Sequence, residues 1–353
     1  MKKKKVIWIG NIAIGGDYPI VIQSMTNTKT KDIEATISQI RDLTLAGAQV
    51  VRLAVLDELD AMSIEKIKAQ VQVPIVADIH FDYKLAILAV QSGADKIRIN
   101  PGNIGSDAHL KAVVAICKEK GIPIRIGINS GSLPHDIYET YGVTPIAFEV
   151  CIKRYVELIE SFDFFNLVLS VKATDIETTI EANRMLNQHF DYPIHIGLTE
   201  SGTIHSGTIR SSYALGTLLH EGIGQTIRVS LTGNPLDEIP VAKEILSMFS
   251  LYQKPTLISC PTCGRTNYQM EPIVKEIETF LNTLHSPLKV AIMGCAVNGP
   301  GEAKDADIGI AGGHHEALLF KKGTIIRKIP EEDIIVVLKE EILKMIENHA
   351  FPM

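Results

Sequence analysis

Cysteine and aromatic residues are scarce in this sequence. Its 353 residues include five cysteines and one tryptophan, and aromatic residues make up 6% of the chain. Five is an odd number, and the spacings do not resemble a disulfide framework, so the cysteines indicate a reducing compartment. We therefore expect a cytoplasmic protein.

Long apolar runs and an excess of positive charge are also absent. No run approaches the roughly 20 apolar residues of a membrane span. The apolar segment after Lys2–Lys5 breaks at Gly10 without a cleavage-like site, so it does not indicate a signal peptide. The net charge of −6 argues against a nucleic-acid-binding surface. We expect neither a membrane nor a nucleic acid as a partner.

A repeating strand–helix pattern dominates residues 20 to 250. Eight apolar, β-branched runs recur, and each is followed by a segment with helical spacing. Eight such units over about 230 residues predict an α/β fold, a TIM (β/α)8 barrel, with a doubly wound sheet as the alternative. Glycines that suit left-handed helix ends precede several runs, at Gly47, Gly93, Gly121 and Gly222. The eight runs are 20–24, 50–55, 74–78, 96–100, 124–129, 167–172, 193–198 and 226–231.

The barrel is expected to occupy residues 1–252, with the segment before Ile20 sealing its bottom. Residues 253–353 predict a small α/β domain. Within the barrel, Thr174 and Glu177 have the spacing of a capping box at the start of the sixth helix. The elements expected in the second domain are strands at 256–259, from Val290, at 307–310 and at 324–327, and helices at 271–284 and 331–348.

Three of the five cysteines fall in one window of this second domain. Cys260 and Cys263 form a Cys-x-x-Cys turn, and Cys295 follows the apolar run that begins at Val290. Three thiolates from two turns predict a site for a soft metal. Structural zinc normally has four Cys or His ligands, and here the nearby candidate for a fourth ligand is Glu302. An iron–sulfur cluster, a zinc ribbon and a redox-active cysteine pair all fit this spacing.

Basic residues recur in or just after the predicted barrel strands. In this fold the chemistry takes place at the carboxyl ends of the strands. Because a guanidinium group binds two phosphate oxygens at once, five cations at one mouth predict a phosphate or diphosphate site. The alternative is that arginines pair with carboxylates such as Asp78 or Glu200, which explains any one of them better than all five. The five basic residues are Arg52, Arg98, Arg125, Lys172 and Arg228.

Acidic and neutral polar residues near the same strand ends complete the candidate site. Glu200 follows the seventh strand and is a candidate general acid, although a salt bridge to the arginines explains it equally well. Asp78 and His80 end the third strand, where an acid–base or hydrogen-bonding role is expected. Candidate hydrogen-bond donors to the anion are Asn100, Asn129 and Ser230.

Seven motifs, in order along nearly the whole chain, closely resemble one family. They are residues 23–28, 77–81, 98–103, 125–131, 222–232, 260–265 (CPTCGR) and 294–303 (GCAVNGPGEA). Together they resemble the GcpE/IspG family, the 4-hydroxy-3-methylbut-2-enyl diphosphate synthases of the methylerythritol phosphate route to isoprenoids, in its short bacterial form. The departures are small, such as Lys29 and Ala296.

The resemblance assigns roles to particular residues. The substrate it implies is 2-C-methyl-D-erythritol 2,4-cyclodiphosphate, and the cofactor is a 4Fe–4S cluster. The implied cluster ligands are Cys260, Cys263, Cys295 and, as a displaceable fourth ligand, Glu302. The implied substrate-binding residues are the five basic residues with Asn100, Asn129, Ser230 and Asn298. The implied catalytic residues are Asp78, His80 and Glu200.

The expected reaction is a two-electron reductive ring opening and dehydroxylation of the cyclic diphosphate, with Glu200 either donating a proton or orienting the hydroxyl group that leaves. Electrons are expected to enter one at a time through the cluster. The expected donor is a ferredoxin or flavodoxin, because no nucleotide-binding glycine-rich loop follows the first strand. The resemblance also implies a head-to-tail homodimer, in which the cluster of one chain covers the barrel of the other.

Two other functions compete with this one on the residues alone. The first is a TIM-barrel enzyme acting on another phosphorylated ligand, with a structural zinc in the second domain. The second is a cluster-based sensor or electron carrier, although such a protein has no need of five cations around a pocket.

Overall fold

A computed structural model describes residues 3–266, 268–296 and 299–348 and divides the chain into two units, Met1–Leu251 and Tyr252–Met353. The first unit begins with a hairpin of β1 (Ile7–Ile9) and β2 (Ile12–Ile14). Its buried isoleucines pack against valines near the amino ends of the barrel strands, including Val21 and Val50. The expectation that this segment seals the bottom of the barrel is confirmed.

Eight parallel strands form the barrel of the first unit. They pair in the order β8-β7-β6-β5-β4-β3-β10-β9, and a bridge between Leu169 and Ile194 links β8 to β9, so the circle is nearly closed. This confirms the TIM barrel and excludes the doubly wound sheet. The strands are β3 (Val21–Met25), β4 (Val50–Val55), β5 (Ile75–Ile79), β6 (Lys96–Ile99), β7 (Ile124–Asn129), β8 (Leu167–Lys172), β9 (His195–Gly197) and β10 (Thr226–Arg228).

Helices alternate with these strands. They are α1 (Ile33–Ala46), α2 (Glu58–Lys68), α3 (Tyr83–Gln91), α4 (Asp107–Lys120), α5 (His135–Tyr141), α6 (Pro145–Glu160), α7 (Ile176–His189), α8 (Ile204–His220) and α9 (Glu238–Ser247). Short 3-10 helices cover Pro101–Asn103, Ser130–Ser132 and Pro235–Asp237. The four glycines expected at helix ends all have positive φ, from 69° at Gly121 to 113° at Gly47, as a left-handed helix terminus requires.

One helical segment of this unit is divided in two, and one predicted helix cap is wrong. The helical segment after β7 is two helices, because Gly142 turns the chain with φ 62° and Thr144 caps a new helix that begins at Pro145. Helix α7 has no capping box at Thr174. Its cap is Asp175, whose carboxylate accepts a hydrogen bond from the Thr178 backbone N–H at 2.7 Å, because the residue adjacent to the first turn reaches the free N–H groups directly.

The second unit is a five-stranded mixed sheet in the order β11-β12-β13-β14-β15. The first three strands are parallel and the last three antiparallel. Its elements are β11 (Thr256–Ser259), α10 (Met270–Leu281), β12 (Lys289–Met293), α11 (Gly299–Glu302), β13 (Ile308–Gly312), β14 (Glu316–Lys321), β15 (Thr324–Pro330) and α12 (Ile334–Asn348), with a 3-10 helix at Glu331–Asp333 before α12.

Strand β12 shows how this sheet is buried on both faces. Its even-numbered side chains, Val290 and Ile292, join a core with residues of α10 and α12, whereas Ala291 and Met293 face a second, alanine-rich cluster. Successive side chains of a strand point to opposite faces, which explains the division. Strand β14 was not predicted, although the turn at Lys322 and Gly323, with φ 45° and 75°, is typical of a hairpin.

Among the residues that the structure describes, no helix is both long and apolar enough to cross a membrane.

Candidate functional site

The carboxyl ends of the barrel strands surround a cavity of about 250 Å³. All five basic residues predicted to bind an anion line it. The cavity lining contains Met25, Arg52, Asp78, His80, Arg98, Arg125, Gly127, Asn129, Ser170, Lys172, Leu198, Thr199, Arg228 and Ser230. These side chains come together because parallel strands end at one edge, and neighbouring strands place Arg98 beside Arg125 and Asn129 beside Lys172.

Glycines on neighbouring strands make room for two of the cations. A Cβ atom on Gly127 would lie 2.7 Å from Nε of Arg98, and one on Gly197 would lie 2.6 Å from Nζ of Lys172. Both distances are below any ordinary contact between a Cβ atom and another heavy atom. The long basic side chains therefore depend on glycine at these two strand positions.

Asp78 is the centre of the ion pairs in the cavity. Its carboxylate lies 3.2 Å from Nη1 of Arg98, 3.6 Å from Nε of Arg52 and 3.4 Å from Nε2 of His80. Burial alone would raise the pKa of Asp78, but the charge of Arg52, the hydrogen bond from His80 and the charge of Arg98 lower it far below its usual value. Asp78 therefore stays ionised and orients two arginines. A carboxylate that carries no proton does not suit the role of a proton donor.

A second carboxylate, not predicted from the sequence, holds the fifth cation. Glu238, the buried first residue of α9, accepts hydrogen bonds from Nε and Nη2 of Arg228 at 3.3 and 3.2 Å and from the Leu231 N–H at 3.1 Å. Nothing in the local sequence distinguishes Glu238 from an ordinary helix-start acid. Only the packing of α9 against the barrel brings it to Arg228.

Arg125 is a buried cation with N–H groups that lack acceptors. It is 2% exposed, and its Nε and Nη1 have no hydrogen-bond partner among the described residues. Burial and then the charges of Arg52 and Arg98 lower the pKa of its guanidinium well below the usual value. Buried charges and N–H groups without partners cost free energy. An anion in the cavity would supply the acceptors that the protein itself does not.

A polar layer lies inside the barrel beneath these residues. Lys96 and His195 are fully buried, Lys96 Nζ donates to Oε1 of Gln23 at 3.4 Å, and His195 Nδ1 lies 2.7 Å from Oγ1 of Thr226. Burial, followed by the charge of Arg125, lowers the pKa of both Lys96 and His195. Bulky aliphatic residues usually fill this layer of a TIM barrel. Two sequence features indicate this layer: Lys96 begins the apolar run 96–100, and His195 interrupts the run 193–198.

Three predicted residues are not part of this lining. Asn100 is buried, and its side-chain amide donates to the Ser132 carbonyl and accepts from the Gly102 N–H. Glu200 is exposed and follows Thr199, which does line the cavity. Asn298 lies outside the described residues. The functional roles expected for all three remain predictions.

The three predicted cysteine ligands and Glu302 line one cavity of about 270 Å³ in the second unit. Cys260 follows β11, and Cys295 follows the neighbouring parallel strand β12, so the same edge of the sheet carries both. The Gly294 N–H donates to the Cys260 sulfur at 3.1 Å. No three His, Cys, Asp or Glu residues within the described parts of the chain are placed to hold a single metal ion.

The donor set of this second cavity fits an iron–sulfur cluster. Hydrogen bonds from the backbone and side chain of Arg265 lower the pKa of the Cys263 thiol, and the thiolate is the form that binds metal. A Cβ atom on Gly294 would lie 2.7 Å from Oγ1 of Thr266 and 3.5 Å from the Cys260 sulfur, so this glycine keeps the backbone close to the thiolate. Three cysteine sulfurs and one carboxylate would suit a cluster in which one iron has an exchangeable ligand.

Comparison with known proteins agrees with both sites. A family model described as the GcpE TIM-barrel domain matches residues 4–243, and one described as the GcpE protein C-terminal domain matches residues 256–344. The chain belongs to the GcpE family. A relative from Clostridium perfringens is 52% identical over 98% of this chain and 99% of its own length. One from Malacoplasma penetrans is 50% identical over 96% of this chain and 94% of its own.

Both of these GcpE-family relatives bear the name 4-hydroxy-3-methylbut-2-en-1-yl diphosphate synthase (flavodoxin). Solved structures are similar in fold alone. A sialic acid synthetase from Leptospira borgpetersenii has a TM-score of 0.51 at 11% identity, covering 78% of this chain and 96% of its own. A dihydropteroate synthase from Yersinia pestis has a TM-score of 0.50 at 12% identity, covering 69% and 98%.

The buried cations predict that diphosphate binding takes up protons. Burial, and then the charges of Arg125 and its neighbours, lower the pKa of Lys172 in the ligand-free protein, and a bound anion would raise it again. At a pH between the pKa of Lys172 in the free protein and its pKa in the complex, the amine gains a proton when diphosphate binds. The affinity for inorganic diphosphate should therefore fall as the pH rises. Calorimetric titrations in buffers of different ionisation enthalpy measure this uptake directly.

The variant Lys172→Met should bind inorganic diphosphate about 10- to 100-fold more weakly, as expected for loss of a charged hydrogen bond, and should take up fewer protons. Lys153→Met, at an exposed position, is the matched control because it removes the same functional group outside the cavity. Protonation of the diphosphate itself is common to all three proteins. Equal proton uptake in wild type and Lys172→Met would contradict the assignment.

Proposed function

We propose that this chain catalyses the reductive ring opening and dehydroxylation of 2-C-methyl-D-erythritol 2,4-cyclodiphosphate to 4-hydroxy-3-methylbut-2-enyl diphosphate. The observation that carries the proposal is the composition of the barrel cavity. Five basic side chains line it with a single carboxylate among the described residues, and Nε and Nη1 of Arg125 have no hydrogen-bond partner there. A ligand rich in anionic oxygens satisfies these groups. The name shared by the GcpE-family relatives supports the same reaction.

The reaction balances as a reduction. A carbon–oxygen bond to phosphate breaks and opens the ring, a hydroxyl group leaves as water, and two electrons are consumed. Counted on the neutral acids, two protons are consumed as well. The chain must therefore bind a diphosphate, admit electrons and deliver protons.

The barrel residues perform the binding. Arg52, Arg98, Arg125, Lys172 and Arg228 hold the diphosphate oxygens, and Asn129 and Ser230 add hydrogen bonds. Asn298, which belongs to the second unit and lies outside the described residues, is a further proposed hydrogen-bond donor. Asp78 keeps Arg52 and Arg98 in place and stays ionised throughout. His80 is half-exposed at the same carboxylate and can reach the carbon portion of the substrate.

In the second unit, Cys260, Cys263, Cys295 and Glu302 would hold a 4Fe–4S cluster. Iron–sulfur chemistry is known for this family. When bound, the cluster supplies one-electron transfers and an iron with an exchangeable ligand position. A flavodoxin, named with the relatives, is the proposed electron donor, and a ferredoxin is its alternative. A cytoplasmic location fits the five free cysteines.

Glu200 is the proposed proton donor. Its backbone has φ 53°, which is unusual for a residue other than glycine and is often retained where function requires it. Its Oε2 accepts a hydrogen bond from the Thr174 hydroxyl at 3.2 Å. This bond restrains the carboxyl group, and the preceding residue, Thr199, lines the anion cavity.

The proposed function predicts a brown protein after anaerobic purification. Iron and sulfide analysis should give about four irons per chain, and the protein should consume the cyclic diphosphate when a strong reductant or reduced flavodoxin is supplied. Cys295→Ala should lose iron and turnover, whereas Cys117→Ala, at a buried cysteine of the barrel, should keep both. A colourless protein with about one zinc under the same conditions would contradict the proposal.

Replacement of Glu200 by Gln should slow turnover by about 10²- to 10⁴-fold, the usual contribution of general acid catalysis. Iron content and diphosphate affinity should not change, because neither requires Glu200 to donate a proton. Glu177→Gln is the matched control, since Glu177 lies in the first turn of α7 and outside the cavity lining. Turnover at the wild-type rate in Glu200→Gln would remove this residue from the mechanism.

From the family resemblance we also propose a head-to-tail homodimer, in which the cluster of one chain serves the barrel of the other. Mixing an inactive Cys295→Ala chain with an inactive Arg125→Ala chain should then restore activity, because one of the two sites in a mixed dimer has both halves intact. Differently tagged chains and two-step purification would isolate the mixed dimer. An isolated mixed dimer without activity would indicate that each site is made by one chain.

A further inference from the structure

A methionine sulfur lies between two of the arginines in the anion cavity. Met25 is the last residue of β3, the strand between β4, which carries Arg52, and β10, which carries Arg228. Nε and Nη2 of Arg52 lie 3.0 and 2.8 Å from the Met25 sulfur, and Nη1 of Arg228 lies 3.5 Å from it. Three N–H groups on two guanidinium groups thus point at one thioether.

Each of these arginines also meets a carboxylate. Arg52 lies 3.6 Å from Asp78, and Arg228 lies 3.2 Å from Glu238. Each guanidinium group is therefore held by a carboxylate and by the shared sulfur. The two groups repel one another across the sulfur, since each carries a positive charge.

The chemistry of the central side chain decides what these arginines can do. A carboxylate at this position would orient both guanidinium groups but would cancel one positive charge of the cavity. An aliphatic side chain would cancel no charge but would leave the N–H groups without an acceptor. A thioether is a weak and uncharged acceptor, and it is polarisable. It is also half-buried and lines the cavity, so it is not an ordinary core methionine.

We propose that Met25 is a positioning residue, whose sulfur holds Arg52 and Arg228 in the orientation that binds the diphosphate while the positive charge of the cavity is retained. The inference rests on the proposed function, because it takes diphosphate as the ligand. The inference adds Met25 to the residues that support diphosphate binding, and it requires the Met25 side chain to be an uncharged hydrogen-bond acceptor.

The test compares three substitutions in the anaerobically purified full-length holoprotein. Met25→Leu keeps most of the volume and removes the acceptor, Met25→Gln keeps a neutral acceptor, and Met25→Glu adds a charged one. Met248→Leu is the matched control, because that methionine is 56% exposed and lies outside the cavity lining. The measurements are the dissociation constant of inorganic diphosphate by calorimetry, its salt dependence, and kcat and KM with the cyclic diphosphate. Thermal melting verifies that each variant is folded.

Met25→Leu should bind diphosphate about tenfold more weakly, with most of the change in KM, as expected for the loss of one hydrogen-bond acceptor. Met25→Gln should recover most of the affinity. Met25→Glu should bind more weakly than Met25→Gln and show a smaller dependence on salt, because it removes a net charge from the cavity. Met248→Leu should match the wild type. If Met25→Leu does not fold, the comparison of Met25→Gln with Met25→Glu still tests the requirement for an uncharged acceptor.

Two failures are distinguishable. Wild-type protein that does not bind diphosphate would overturn the proposed function and the role of Met25 with it. Wild-type protein that binds diphosphate, with Met25→Leu binding as tightly or Met25→Glu binding as tightly as Met25→Gln, would overturn the role of Met25 alone. A loss of affinity in Met25→Leu that Met25→Gln does not recover would indicate a packing effect and would also overturn it.

Discussion

Burial of several like charges in the mouth of one barrel is the constraint on which the rest of this structure depends. Four arginines and a lysine share a small cavity, and within the described chain two buried carboxylates, Asp78 and Glu238, are bonded to them. Removal of a charge from water is costly unless it is paired. The aliphatic core of the barrel must offset that cost, and any anion that binds only the folded protein will add to its stability.

The barrel meets this constraint with rigid placement. The basic side chains begin on strands, where the backbone has little freedom, and glycines at 127 and 197 leave the space that Arg98 and Lys172 occupy. The layer of side chains beneath the cavity is also partly polar, because it contains the buried residues Lys96 and His195. Neutral acceptors such as the Met25 sulfur add orientation at no cost in charge. A cavity arranged in this way is prepared for a highly charged anion before the anion arrives.

The second unit also brings its candidate ligands together at the carboxyl ends of parallel strands. Its cysteines follow two neighbouring parallel strands, so the carboxyl edge of a sheet again brings distant residues together. Here the side chains carry soft sulfur atoms, one of which accepts a hydrogen bond from a backbone N–H group, and the cofactor that they suit is an iron–sulfur cluster. The proposed function therefore assigns anion binding and electron supply to separate units of the chain.

The sequence by itself determined the strand–helix period, the barrel and most of the polar residues that line the two cavities. Period and glycine position are local properties, and parallel strands of a barrel necessarily end at one mouth, so Arg52, Arg98, Arg125, Lys172 and Arg228 were predictable as a group. The cysteine window was predictable for the same reason, since a short turn and one strand end suffice to bring three thiolates together. The extra helix α5, the strand β14 and the cap at Asp175 were missed, because each depends on competition between adjacent local signals.

Only the tertiary structure decided how each charge is compensated. Nothing near Glu238 in the sequence points to Arg228, and nothing near Met25 points to two arginines. The two arginines that pair with Asp78 lie on the two neighbouring strands. The hydrogen bonds of Asn100 to the Ser132 carbonyl and the Gly102 N–H are likewise visible only in the folded chain. Hydrogen bonds and ion pairs act over a few ångströms between side chains that are far apart along the chain. Their partners therefore exist only once the strands have closed into the barrel.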